Sequence, residues 1–208
     1  LYKYKNDLNK KSLLFDAGNF FQGHPIGIID SGKTIIEWMN KLEYNALVPG
    51  KDDFILGYKN LVNLSKLAKF PFLASNIKYS DSDEYVFNPY TIINYDEVRI
   101  GILGIVSSNI HDFVLAKNID GIDFLSERLA LDTWLPKLKD LNVDIIIVLS
   151  SLGVPYNREI VYEDFINDND NKDTPLNSVS LGYYANDVDV IISGGVNKGY
   201  RTPWYDKN

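Results

Sequence analysis

The chain has 208 residues, a length that predicts one domain, spanning residues 1–208, around a single core. Its formal net charge of −7 and its scattered lysines and arginines argue against a nucleic-acid-binding protein, so we expect no nucleic acid polymer as a partner. The absence of cysteine excludes disulfides and thiolate catalysis, and no apolar stretch is long enough to predict a transmembrane segment.

The first half of the chain predicts alternating helices and strands. Leu1, Tyr4 and Leu8 have helical spacing in a polar segment and predict the end of an amphipathic helix over 1–10. The elements that follow are a strand over 12–16, a helix over 30–40, a strand over 45–48, a helix over 58–68 and a strand over 72–75. Asp30 or Ser31 can cap the helix over 30–40. Its inner face is expected to consist of Ile35, Ile36, Trp38 and Met39.

The second half predicts the central strands of a sheet. Two β-rich runs within 89–106 surround Asp96-Glu97 and predict a hairpin. Its second strand is apolar enough to be covered on both faces. Ser126 can cap a helix that runs to about residue 141. The remaining predicted elements are a buried strand over 143–149, a solvated loop over 167–172, a short helix over 176–184 and a last strand over 188–193.

Strands that alternate with helices predict an α/β fold. In such folds, binding sites collect in the loops beyond the carboxyl ends of the strands. Four loops of this kind follow Asp16, Val48, Leu149 and Ser193. We therefore expect these four loops to converge on one pocket.

The same four places carry recognisable sequence segments. They are L-F-D-A-G-N-F-F-Q-G at 14–23, V-P-G-K-D-D-F at 48–54, V-L-S-S-L-G at 148–153 and I-I-S-G-G-V-N-K at 191–198. Together with 39–46, 70–76 and the hairpin, these segments resemble, in order and spacing, the 5'-nucleotidase branch of the calcineurin-like metallophosphoesterases. The resemblance implies a sandwich of two mixed β-sheets flanked by α-helices. It also leads us to expect that the chain lacks the family's first strand and its carboxyl-terminal nucleoside-binding domain.

Active members of this family hold two divalent metals, which orient a phosphate ester and generate the attacking hydroxide. This sequence departs from the family pattern at each matched ligand or catalytic position. The resemblance places Asn19 at the bridging aspartate, Lys51 at the ligand asparagine, Asp52 at the catalytic histidine, Ser151 at a further histidine, and Val196 and Lys198 at the last two histidines. A protonated lysine has no lone pair and repels a cation. We therefore expect no two-metal centre, no metal cofactor and no catalytic residue.

Lys51 and Lys198 allow two interpretations. They could replace the positive charge of the metals and bind an anion such as phosphate. Alternatively, they pair with Asp52 or Asp53, or point into solvent, which we favour because lysines are most often solvated or paired. A single weak cation site from Asn19, Asp52 and Asp53 also stays open.

The functional prediction has two branches. The preferred one is a degenerate, catalytically inactive homologue that binds a ligand or a protein partner of unknown identity, or that serves as a structural domain. The alternative is a metal-dependent, 5'-nucleotidase-like phosphohydrolase with displaced ligands. The resemblance further implies an extracytoplasmic, exported protein.

Overall fold

The structure, a computed structural model, describes residues 12–21, 23, 25–168, 175–195, 199–200 and 202–205. The helix predicted over 1–10 and the part of the predicted loop at 169–172 lie outside the described residues. Among the described helices, none combines the length and the hydropathy that crossing a bilayer requires.

Strands and helices alternate along most of the described chain. In chain order, the strands are β1 (Phe15–Asp16), β2 (Ala46–Leu47), β3 (Ile77–Tyr79), β4 (Tyr90–Tyr95), β5 (Val98–Ile105), β6 (Ile122–Phe124), β7 (Ile145–Ser150) and β8 (Val190–Ser193). The α-helices are α1 (Pro25–Ile29), α2 (Lys33–Lys41), α3 (Tyr58–Leu67), α4 (Ala116–Ile119), α5 (Glu127–Asp140), α6 (Arg158–Asn167) and α7 (Ser178–Tyr184). Two 3-10 helices cover Lys51–Leu56 and Ile110–Asp112.

A four-stranded mixed sheet, in the order β4-β5-β7-β8, forms the centre of the fold. β4 and β5 pair as the predicted antiparallel hairpin, while β5, β7 and β8 run parallel. Alternate residues of β5 face opposite sides, so that Ile102 packs into one buried cluster and Leu103 into the other. This arrangement confirms the prediction that the second strand of the hairpin is central and covered on both faces.

Two smaller sheets lie beside the central one. β1 pairs in parallel with β2, and β3 pairs antiparallel with β6. The strand predicted over 72–75 is reduced to two isolated bridges, in which Phe72 pairs with Leu47 and Leu73 with Asn88. It ends early because Ser75 turns to the central sheet, where both its N–H and its hydroxyl donate to the carbonyl of Gly104, at 2.8 and 2.6 Å. The α/β class with sheets flanked by helices is confirmed, with the strands in three sheets.

At two helices, side-chain oxygens near the first turn accept hydrogen bonds from backbone N–H groups. Ser126 accepts a hydrogen bond from the N–H of Leu129, which confirms the predicted cap of α5. The N-cap residue of α2 is Gly32, so the prediction of Asp30 or Ser31 at this position was wrong. Asp30, two residues earlier, still accepts a 2.8 Å bond from the N–H of Thr34 in the first turn.

The inner face of α2 was predicted wrongly at one position. Ile36 and Met39 are buried, but the side chain of Trp38 is 65% exposed. Two residues correspond to about 200° on a helix, so Trp38 lies opposite Ile36.

Candidate functional site

The loops that follow β1 and β2 touch each other through their backbones. Gly18 has a φ of 101°, and a Cβ there would lie 2.6 Å from the backbone of Gly50. Asn19 also has a left-handed backbone, with a φ of 65°, which asparagine tolerates better than most residues. The two loops can approach this closely only because both contact positions are glycine.

Asp53 ties the same two loops together. Its carboxylate is fully buried and accepts backbone hydrogen bonds from Asn19 at 2.7 Å, Phe20 at 3.0 Å and Gly50 at 2.8 Å. Burial raises the pKa of Asp53 to about 7, because desolvation outweighs the three N–H donors, which lower it; the charge of Asp16 raises it further. Asp53 therefore has a structural role, and its oxygens face backbone donors.

The orientation of the Asn19 side chain is also fixed by a hydrogen bond. Its carboxamide oxygen accepts a 3.0 Å hydrogen bond from the N–H of Asp52, at the start of the 3-10 helix over Lys51–Leu56. The oxygens of Asp53 and Asn19 already accept backbone hydrogen bonds, and Asp53 is fully buried, which leaves each of them less able to bind a cation. The arrangement does not favour the weak cation site that the sequence left open.

The loops that follow β7 and β8 contact each other and the loop after β1. The N–H of Gly153 donates to the carbonyl of Gly194 at 2.8 Å, and the N–H of Gly194 donates to the carbonyl of Ser150 at 2.9 Å. A Cβ on Gly194 would lie 2.4 Å from the carbonyl oxygen of Ala17, so this loop also packs on the loop after β1. The four loops that the sequence predicts to converge therefore meet.

A cavity of about 240 Å³ lies between these loops. Three of the substituted positions line it, namely Asn19, Lys51 and Ser151, whereas Asp52 adjoins it through its bond to Asn19. Val196 and Lys198 lie outside the described residues. The complete set of lining residues is Asn19, Lys51, Ser107, Asn109, Phe113, Ser151, Leu152, Pro175, Leu176, Asn177 and Gly195.

The ammonium of Lys51 lies over an aromatic ring in the cavity wall. Its Nζ is 4.3 Å from the ring centroid of Phe113, a cation–π contact. Neither Asp52 nor Asp53 forms an ion pair with it within the described chain, although this pairing was one alternative that the sequence favoured. Lys51 is half-buried, and its side chain lines the cavity.

Sequence reasoning missed Phe113, Asn109 and Asn177 as lining residues. Asn109 and Phe113 follow the carboxyl end of β5, which lies beside β7 at the same edge of the sheet. The predicted central position of this strand was the signal that could have added its loop to the pocket. Asn177 precedes α7 and reaches the cavity only through the tertiary fold.

Ser151 has a buried hydroxyl without a partner. Its exposed fraction is 9%, and its Oγ makes no hydrogen bond to the described chain. The neighbouring serines differ, since the hydroxyl of Ser150 donates to Ser193 at 3.1 Å and Ser178 also bonds to Ser193. A buried hydroxyl without a partner normally costs free energy, so in a cavity wall this group is available to whatever occupies the cavity.

Two carboxamides in the wall have a fixed orientation. The oxygen of Asn177 accepts from the N–H groups of Val179 and Ser180, both at 2.9 Å, and the oxygen of Asn19 accepts from Asp52. Backbone N–H groups can only donate, so the oxygen of each carboxamide must face them. The NH₂ group of each side chain is therefore left as a donor.

The described residues of the cavity do not fit a pair of divalent metals. The family's ligands are carboxylates, histidines and an amide, but no aspartate, glutamate or histidine is among the described lining residues. The Asn19 oxygen already has a protein donor, and Lys51 brings a positive charge into the wall. Across the described chain, no group of three or more histidine, aspartate or glutamate side chains is placed to hold a metal.

Comparison with known proteins finds relatives that are named 5'-nucleotidase. The chain is 33% identical over 146 residues to 5'-nucleotidase of Homo sapiens and 32% identical over 154 residues to snake venom 5'-nucleotidase of Crotalus adamanteus. These matches cover 68% and 71% of this chain but 25% and 26% of the relatives, so the chain spans about a quarter of their length. No protein-family model matches the sequence.

A solved structure has the same fold. The crystal structure of the calcineurin-like phosphoesterase YfkN from Bacillus subtilis superposes with a TM-score of 0.72 at 27% sequence identity. The superposition covers 92% of this chain and 60% of that structure. The likeness therefore extends over nearly the whole chain.

Proposed function

The chain belongs to the 5'-nucleotidase branch of the calcineurin-like metallophosphoesterases, and from this membership and the substituted cavity we propose that it is a catalytically inactive homologue that acts by binding. Four strand-end loops surround a cavity at the place where the resemblance puts the family's site. At the positions that the resemblance assigns to metal ligands, this sequence has other residues. A retained cavity without the chemistry of hydrolysis supports a binding role.

The observation that carries this proposal is the position of Lys51. Its ammonium lies in the cavity wall, and the resemblance assigns this position to a metal-ligating amide. A cation bound beside it would be repelled, and an ammonium offers no lone pair in exchange. Without a metal, the water that attacks a phosphate ester keeps its ordinary pKa and is a poor nucleophile at neutral pH.

A phosphohydrolase with displaced ligands is the second candidate. It is favoured by the similarity to enzymes named 5'-nucleotidase over more than two thirds of this chain. Since the chain spans about a quarter of these relatives, their activity can be assigned to it only as this alternative. An exported location is also part of the proposal, and the snake venom relative supports it.

Phosphate release separates the two candidates. The protein is incubated with AMP and with an aryl phosphate in the presence of Mn²⁺, Zn²⁺ or Mg²⁺, next to human 5'-nucleotidase as the active control. We expect no metal-dependent release above the rate of the metal-only blank. Turnover at ordinary enzyme rates that is lost in Lys51→Ala or Ser151→Ala would establish the phosphohydrolase and overturn the proposal.

A further inference from the structure

We propose that the cavity binds a small organic carboxylate without a metal, through the ammonium of Lys51 and the hydroxyl of Ser151. This inference rests on the proposed binding function, and it names the chemical class of the ligand at the same site.

The polar groups of the wall are mostly donors. The hydroxyl of Ser151 is nine-tenths buried and has no partner in the described chain. The NH₂ groups of Asn19 and Asn177 are left over because their oxygens accept backbone hydrogen bonds. With the ammonium of Lys51, the wall offers hydrogen-bond donors and a positive charge. A ligand that satisfies them presents oxygen acceptors and a negative charge.

The charges of Lys51 and Asp53 favour a ligand with a single negative charge. Lys51 is the one cation among the described lining residues. The buried carboxylate of Asp53 lies directly behind the wall, 2.7 Å from the backbone nitrogen of Asn19. When ionised, it repels any negative charge in the cavity, and it repels a dianion about twice as strongly as a monoanion. A phosphate monoester carries about −1.5 to −2 at pH 7, whereas a carboxylate carries −1. The carboxylate is therefore the better match.

The apolar part of the cavity wall suits a ligand with a small hydrocarbon group. The side chains of Phe113, Leu152 and Leu176 line the cavity beside the donors. The volume of about 240 Å³ lies below that of sites for drug-sized molecules. An acid with a short aliphatic or single-ring body would bring its carboxylate to Lys51 and Ser151 and its carbons to these apolar side chains.

Calorimetry with defined probes tests the inference. Benzoate, butyrate, inorganic phosphate and AMP are titrated into the protein in the presence of EDTA. We expect benzoate or butyrate to bind more tightly than phosphate and AMP. Lys51→Met should weaken the carboxylate about tenfold or more, because it removes a charged hydrogen bond, and Ser151→Ala should weaken it by a smaller factor. Lys137→Met is the matched control, since its ammonium also lies over a ring, 3.9 Å from the centroid of Trp134, but not in this cavity.

Three results would overturn the carboxylate site: no binding of either acid at millimolar concentration in EDTA, tighter binding of phosphate or AMP, or equal affinities for Lys51→Met and Lys137→Met. Any of these, combined with an absence of phosphate release, leaves the inactive-homologue proposal standing and removes only this ligand. Metal-dependent phosphate release would instead overturn the proposed function itself.

Discussion

The carboxylate of Asp53 accepts a hydrogen bond of 2.7 Å from the backbone N–H of Asn19, and this bond joins the loop after β2 to the loop after β1. Two further N–H donors, from Phe20 and Gly50, converge on the same buried side chain. The geometry of the cavity therefore depends on a residue that does not line it.

Replacing this side chain should destabilise the fold. Asp53→Ala leaves three N–H groups without their acceptor, and each buried unsatisfied donor costs about 1 kcal/mol or more. We expect a loss of about 3 kcal/mol in the free energy of unfolding, measured by urea denaturation at pH 6. Asp52→Ala is the neighbouring control and should change stability by less than about 0.5 kcal/mol. Equal losses in the two variants would contradict the structural role of Asp53.

Asp53 should also make stability depend on pH. Its pKa is raised from 3.8 to about 7 in the folded protein, so the native state holds this proton more tightly than the unfolded chain. The contribution of Asp53 is therefore complete below pH 4, falls as the pH rises to 7 and stays lost above it. The difference between the pKa of Asp53 in the folded and in the unfolded protein corresponds to about 4 kcal/mol of stability that is present at low pH and lost above pH 7.

Denaturation at pH 4.5, 6, 7.5 and 8.5 measures this effect. Asp53→Asn cannot titrate at this position, so its stability relative to that of the unsubstituted protein should improve as the pH rises. Parallel stability curves for the two proteins would show that the buried carboxyl does not titrate in this range.

Two adjacent serines should respond to alanine in opposite directions. Ser151→Ala removes a buried hydroxyl without a partner and should stabilise the unliganded protein by up to about 1 kcal/mol. Ser150→Ala removes a hydroxyl that donates to Ser193 and should destabilise it by about 1 kcal/mol. Thermal denaturation of both variants is sufficient. A loss of stability in Ser151→Ala would mean that its hydroxyl already has a partner in the unliganded protein.

The contact between the loops after β1 and β8 should tolerate no side chain. A Cβ at position 194 would lie 2.4 Å from the carbonyl oxygen of Ala17, so Gly194→Ala must push the two loops apart. We expect a loss of about 2 kcal/mol or more in unfolding free energy, as for other overpacked sites. Gly199→Ala is the control, because no atom of the described residues lies within 4 Å of a Cβ there. A similar change in both variants would contradict the close packing.

The sequence predicted those features that local pattern determines. The apolar run of β5, the turn at Asp96 and the cap at Ser126 are local signals, and the structure confirms each of them. The convergence of the strand-end loops also followed from the rule that parallel strands share one site edge.

Features that depend on tertiary contacts could not be predicted in the same way. Trp38 looked like part of an inner face because its neighbours in sequence are apolar, yet it lies on the opposite side of the helix. The contact of Lys51 with Phe113 joins residues 62 positions apart, and no local pattern indicates it. The orientation of the Asn177 carboxamide is set by the helix that it caps.

The frame of the cavity is built mainly from peptide backbone. Gly18 meets Gly50, Gly194 meets Ala17, and Gly153 meets Gly194, while the side chains that face the interior take no part in these contacts. Lining residues such as Lys51 and Ser151 can therefore vary without changing the frame, whereas Asn19 belongs to both because its carboxamide accepts from the N–H of Asp52. A protein engineer could exchange residues at Lys51 or Ser151 to alter what the cavity accepts while the enclosing loops keep their course.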